Sequence, residues 1–85
     1  MELIFNKGIE TSNGITYAWH NKELYRLPFI SVSGKEYGLK KMKKGKGGCY
    51  NINGIRTSIG TIIRKTQEIN PIKVNVISDN NVPIM

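Results

Sequence analysis

Five lysines, Lys40, Lys41, Lys43, Lys44 and Lys46, fall within seven residues and are interrupted only by Met42 and Gly45. Ammonium groups at that density are of the kind that neutralise phosphates in a polyanionic partner. The whole chain carries 13 Lys+Arg against 6 Asp+Glu, a net charge of +7. Between Lys35 and Lys46 there are six lysines and a single acid, Glu36, so most of the excess is local. Such asymmetry points to a polyanionic partner: nucleic acid, an acidic protein surface or an anionic membrane surface. Lysine outnumbers arginine in the run, which favours phosphate neutralisation over bidentate reading of bases and implies low sequence specificity. Arg56, Arg64 and Lys65 extend the candidate patch. Tyr37 and Tyr50 flank the run and could stack on unpaired bases. The plainer readings are a solvated lysine loop that keeps a small protein soluble, and tyrosines spent on the core of a sheet.

Other chemistries fail on spacing. A phosphate-binding loop needs Gly-Lys followed by Ser or Thr, with a second glycine five positions upstream. Gly34-Lys35 is followed by Glu36 and preceded at that distance by Phe29; Gly45-Lys46 is followed by Gly47, with Lys40 upstream. The dinucleotide pattern fails because Tyr50 stands where Gly45-x-Gly47 needs a third glycine. One cysteine, Cys49, and one histidine, His20, make neither an internal disulfide nor an ordinary structural zinc site. A nucleophile–base pair of Cys49 and His20 requires that the fold bring them together and add an orienting group. No metal or cofactor is implied, and the expectation is a protein without enzymatic activity.

Two short stretches resemble known families. Gly14-Ile15-Thr16-Tyr17 and Glu36-Tyr37-Gly38-Leu39, with Arg56 and Glu68 downstream, resemble the paired motifs of GIY-YIG nucleases. The second motif here lacks the isoleucine before glycine, and a hairpin separates the two. Nuclease activity is the enzymatic alternative that this resemblance implies. The nine residues from Gly54 to Ile62 resemble the last strand and helix entry of AP2-type DNA-binding domains, in which a three-stranded sheet meets a helix. That resemblance implies a groove-facing strand bearing Arg56. The aromatic usual after Gly-Thr is Ile62 in this chain.

The elements that must position these residues are short. Glu2–Phe5 is a strand candidate, followed by turn clusters at Asn6-Lys7-Gly8 and Ser12-Asn13-Gly14. Ile15–His20 and Glu23–Ser33 read as strands joined at Asn21-Lys22. That turn pairs His20 with Glu23, Trp19 with Leu24, Ala18 with Tyr25 and Tyr17 with Arg26. Ile15, Tyr17, Trp19, Leu24 and Arg26 then share one face; Ala18, Tyr25 and Leu27 share the other. Pro28 demands an edge, a bulge or a bend. Ser33-Gly34 turns into a strand over Lys35–Leu39. Residues 40–48 read as a flexible lysine- and glycine-rich loop. Cys49–Ile52 and Ile55–Thr57 flank Asn53-Gly54, the strongest hairpin signal present. Ile59, Ile62, Ile63, Thr66 and Ile69 recur at helical spacing, capped by Thr57 or Ser58 and ended by Asn70-Pro71. Ile72–Ile77 alternates as a strand, and 78–85 reads as a loose tail.

The expected architecture is therefore α+β: one small basic domain over 1–85, an antiparallel meander of about five to seven short strands with one helix from the C-terminal half packed on a sheet face. The expected core is Leu3, Phe5, Trp19, Leu24, Leu27, Phe29, Ile30, Ile52, Ile59, Ile62, Ile63, Val74 and Val76. No apolar run approaches the ~20 residues of a membrane span, and no secretory signal opens the chain, so a cytoplasmic location is expected. A chain this short gains from added buried area, and a homodimer would supply it. The leading expectation is a non-enzymatic nucleic-acid-binding module, for DNA or RNA. The alternative is a protein-interaction module, such as a small inhibitor or assembly subunit of the kind viral and mobile-element genomes carry, whose basic loop docks an acidic partner.

Overall fold

The structure, a computed structural model, describes residues 2–75. In chain order its elements are β1 (Glu2–Glu10), β2 (Thr16–His20), β3 (Glu23–Arg26), β4 (Phe29–Ile30), β5 (Glu36–Tyr37), β6 (Lys40–Lys41), β7 (Cys49–Ile52), β8 (Ile55–Ser58), α1 (Ile59–Lys65) and β9 (Gln67–Asn75). The hairpin of β2 and β3 sits at the centre. Asn21 and Lys22 turn it with φ of 53° and 67°, the left-handed pair that matches the twist of flanking strands. Its register is the expected one at all four pairs, from Tyr17–Arg26 to His20–Glu23. β6 adds to β3 and β1 to β2, and β9 closes the far side of β1, giving the order β6-β3-β2-β1-β9 with every pairing antiparallel.

Side chains on this sheet alternate between two cores. Tyr17 and Leu24 join Tyr50 and Ile62 under α1 and the β7–β8 hairpin. Leu3, Phe5, Ala18 and Leu27 form the opposite core, with Tyr25, Leu39, Ile69 and Val74 against it. The division follows the parity set by the Asn21-Lys22 turn.

Asn6-Lys7-Gly8 is not the expected turn. β1 continues through it with a bulge between Phe5 and Lys7. Between the Phe5–Ile72 and Lys7–Glu68 pairs Asn6 faces three β9 residues, 69–71, and the face each β1 residue presents changes across this step, so Leu3, Phe5 and Gly8 serve one face and Ile9 the other. Gly8 is where the strands pack tightest. A Cβ there would lie 2.4 Å from the Tyr17 carbonyl oxygen and 2.9 Å from Ala18 Cα. Both are backbone atoms of β2, so Gly8→Ala is expected to cost about 1–3 kcal/mol by overpacking. A thermal melt at the wild-type midpoint would show that the bulge relaxes freely.

Pro28 splits the expected long strand into β3 and β4, and Lys40–Lys41 of the expected loop add β6, so the described residues hold nine strands in place of five to seven. The β4–β5 hairpin forms an arm with its own two-stranded pairing, turned at Ser31–Gly34 with Gly34 at φ 89°. Ile30 sits on that arm 69% exposed and is not in the core. Trp19, Phe29, Ile52, Ile59 and Val74 are half-buried, while Tyr17, Ala18 and Tyr50 are core residues that the expected list lacked.

The helix is shorter than its spacing suggests. α1 ends at Lys65, and Thr66 has already turned extended, at φ −67° and ψ 133°. Ser58 caps the start, accepting from the Thr61 N–H. Thr66 closes the end: its N–H reaches the Ile62 and Ile63 carbonyls, and its hydroxyl donates to Ile62 O at 2.7 Å. From Gln67 the chain becomes β9. Two facts decide this. β-branched residues are poor helix formers, and the free edge of β1 offers backbone partners that a longer helix would leave unpaired. Asn70-Pro71 therefore ends no helix; it lies within the unpaired step of β9 across from Asn6, where proline's missing N–H leaves no ladder bond unmade. Ile69 belongs to the core on the other sheet face, and Ile63 is 59% exposed. Val76 and the tail 78–85 lie outside the described residues.

Asn53 and Gly54 turn the β7–β8 hairpin with φ of 53° and 84°. Gly54→Val is expected to cost roughly 1–3 kcal/mol in backbone strain, read as a lowered midpoint in urea; no shift would mean the turn adopts another type. The turn is also pinned to the main sheet. Its Asn53 N–H donates to the Tyr17 hydroxyl at 3.0 Å, and Asn13 Nδ2 donates to Asn53 Oδ1 at 2.9 Å. No helix among the described residues is long and apolar enough to cross a membrane.

Candidate nucleic-acid interface

The lysine run contains a short strand and a 3-10 turn at Lys46–Gly48. Lys40 and Lys41 form β6, paired with Arg26 and Tyr25 of β3. The Met42 N–H continues that lacing to the Leu24 carbonyl at 2.9 Å, and the Met42 side chain packs toward Tyr17, Leu24 and Tyr50. The apolar residue inside the run is thus what holds the run to the sheet. The rest closes on itself: Gly45 N–H donates to Cys49 O at 2.7 Å and Gly48 N–H to Gly45 O at 3.2 Å. Gly47 and Gly48 both take φ of 73° there, a conformation that suits glycine. Arg56, reaching across from β8, donates to the Lys46 carbonyl at 3.1 Å. Arg56 therefore joins the run.

All five lysines of the run are exposed. Among the described residues one ion pair is present, between Lys41 and Glu23. The hydrogen bond and charge of Glu23 hold the Lys41 pKa above its usual value, so Lys41 stays charged across the neutral range. Both partners are exposed, so this pair contributes little to stability. Glu23 was hidden from a local reading because it lies 18 positions away and meets Lys41 through strand pairing. Lys40, Lys43, Lys44 and Lys46 remain as exposed ammonium groups.

Tyr37 lies on the arm, stacked on Phe29 with centroids 4.7 Å apart and planes 4° from parallel. Arg26 lies 5.3 Å from the Phe29 centroid and 5.6 Å from that of Tyr37, and donates to Gly38 O at 2.8 Å. Lys35 Nζ stands 5.3 Å over the Tyr37 ring. Arg26, Phe29 and Lys35 were not among the sequence candidates. The signal was present: a turn centred on Ser33 pairs Phe29 with Tyr37, and the Asn21-Lys22 turn already placed Arg26.

The remaining candidates are placed elsewhere. Tyr50 is 4% exposed, edge-on to Trp19, and offers no ring face to a base. Arg64 and Lys65 occupy the last turn of α1, where positive charge suits the helix dipole. Among the described residues no hydrogen bond or ion pair joins them to the lysine run. His20 packs edge-on to Phe5 and Tyr25 on one sheet face, whereas Cys49 begins the hairpin covering the other, so they do not form a pair. Tyr17 of the first nuclease-like motif is buried with its hydroxyl taken by the Asn53 N–H. The strand-to-helix junction at Ser58–Ile59 exists, but the hairpin before it is two-stranded among the described residues. No group of three or more metal-ligating side chains occurs among the described residues.

Comparison of the chain with protein-family profiles, with curated proteins and with solved structures finds no match in any of the three.

Proposed function

We propose that this chain is a small non-enzymatic module that binds nucleic acid through phosphate contacts with low sequence specificity. The observation that carries the reading is the basic edge: Lys40, Lys43, Lys44 and Lys46 are exposed on a strand and a closed loop, and Glu23 engages only Lys41. Cations held in place lose less freedom on meeting a polyanion than cations on a mobile tether. Arg56 adds a further charge beside Lys46, and Arg26 stands next to Lys40 across the strands. The test is binding of DNA and RNA oligonucleotides by fluorescence anisotropy across a salt series. Four lysine contacts predict that log K falls against log salt with a slope of about −3 to −4. Failure to bind either nucleic acid at low salt removes the reading.

A second reading, a protein-interaction module, is favoured by a different surface. An open groove of about 600 Å³ runs beside α1, lined by Trp19, Ile59, Ile63 and Thr66 together with Lys7, Lys22, Gln67 and Glu68. Apolar side chains with two lysines against one glutamate suit a partly apolar protein segment of modest negative charge. Binding to an acidic protein in the same salt series, with no binding to oligonucleotides, would favour this reading.

A further inference from the structure

We propose that the nucleic acid taken by the basic edge is single-stranded, with an unpaired base stacking on the Phe29–Tyr37 pair of the β4–β5 arm. This rests on the reading of the basic edge as a nucleic-acid site. The two rings are parallel and half-buried, on an arm with its own strand pairing beside the main sheet. Two cations lie against them, Arg26 within 5.6 Å of both centroids and Lys35 over Tyr37, and Lys40 is the strand partner of Arg26. The nearest acid in sequence, Glu36, pairs with Ile30 and so falls on the reverse face of the arm. The ring face is thus free of negative charge from its own strands, and it continues into the lysine edge through Arg26 and Lys40.

A duplex presents its phosphates outward and keeps its bases stacked inside, so it has no use for an aromatic platform. A single strand has both groups to offer: bases for the rings, phosphates for the ammonium groups. Lys35 now lies over the outer ring, but an exposed cation–π contact is weaker than the stacking of a base on an aromatic side chain. Its long side chain can move from ring to phosphate when a base arrives. Arg26 is different. Its hydrogen bond to Gly38 O fixes the guanidinium beside the rings, and its Nε is buried without an acceptor among the described residues. Arg26 therefore positions the platform rather than sweeping toward a ligand.

The experiment compares oligothymidylate and oligouridylate with duplexes of equal length at matched salt, using wild-type protein and the variants Tyr37→Ala, Tyr37→Phe and Phe29→Leu. Wild type is expected to bind the single strands more tightly. Tyr37→Ala is expected to lose about 5- to 150-fold on single strands, with duplex binding unchanged and Tyr37→Phe close to wild type. Phe29→Leu keeps the apolar volume of the arm and removes one ring, so its loss on single strands reports stacking even where the alanine variant unfolds. Equal binding of single strand and duplex, with equal losses in the variants, overturns the stacking proposal and leaves the basic edge standing. Absence of binding to either form removes both.

Discussion

Ile62→Ala is expected to lower stability by about 2–5 kcal/mol. Ile62 is fully buried and packs with Tyr17, Leu24 and Tyr50, so truncation leaves a cavity where α1 meets the sheet. A domain of this size holds only ~4–13 kcal/mol in total, and each kcal/mol moves its melting temperature by about 4–8 °C. The midpoint should fall by roughly 10 °C or more. The neighbouring isoleucine is the control. Ile63 is 59% exposed, and Ile63→Ala should stay within about 0.5 kcal/mol of wild type. Equal losses at the two positions would mean that α1 presents a different face to the sheet. The contrast is sharp because adjacent helical residues differ by about 100° in direction, and Ile62 is the one fully buried residue of α1.

Replacing Lys40, Lys43 and Lys44 together by alanine is expected to weaken nucleic-acid binding on the order of 100-fold at 0.1 M salt and to flatten the salt slope by about 2–3 units. The loss should be similar across sequences, because phosphate contacts carry no base information. The fold should survive. These side chains are exposed, and the strand and loop bonds of the segment come from backbone groups, from Met42 and from Arg56. Lys41 is left in place because Glu23 engages it and its removal would leave that carboxylate unpaired. A triple variant with wild-type affinity and slope would take the lysine edge out of the function.

How the helix and the sheet divide the chain shows where local reading stops. Asn21-Lys22 and Asn53-Gly54 were legible because a two-residue turn fixes register by itself, and register fixes which side chains share a face. From the first turn follow the two cores, with Tyr17 and Leu24 on one face and Ala18 and Leu27 on the other. The helix start was legible in Ser58, whose side chain meets a donor three residues on. Its end was not, because Thr66, Ile69 and Asn70-Pro71 satisfy a helical spacing until the open edge of β1 competes for the same residues.

The sequence by itself determined the α+β class, the basic run and the Asn21-Lys22 and Asn53-Gly54 turns, since each depends on contacts or charges a few residues apart. Tertiary structure decided the rest. It gave Lys41 an acid from β3, drew Arg56 onto the Lys46 carbonyl, buried Tyr50, and stacked Tyr37 on Phe29 beside Arg26. It also continued β1 through Asn6-Lys7-Gly8, because the register shift against β9 lets Phe5 and Gly8, three positions apart, serve the same face. Each of these depends on which strands become neighbours, and that is set by burying two apolar faces at once, a condition no single stretch of the chain contains.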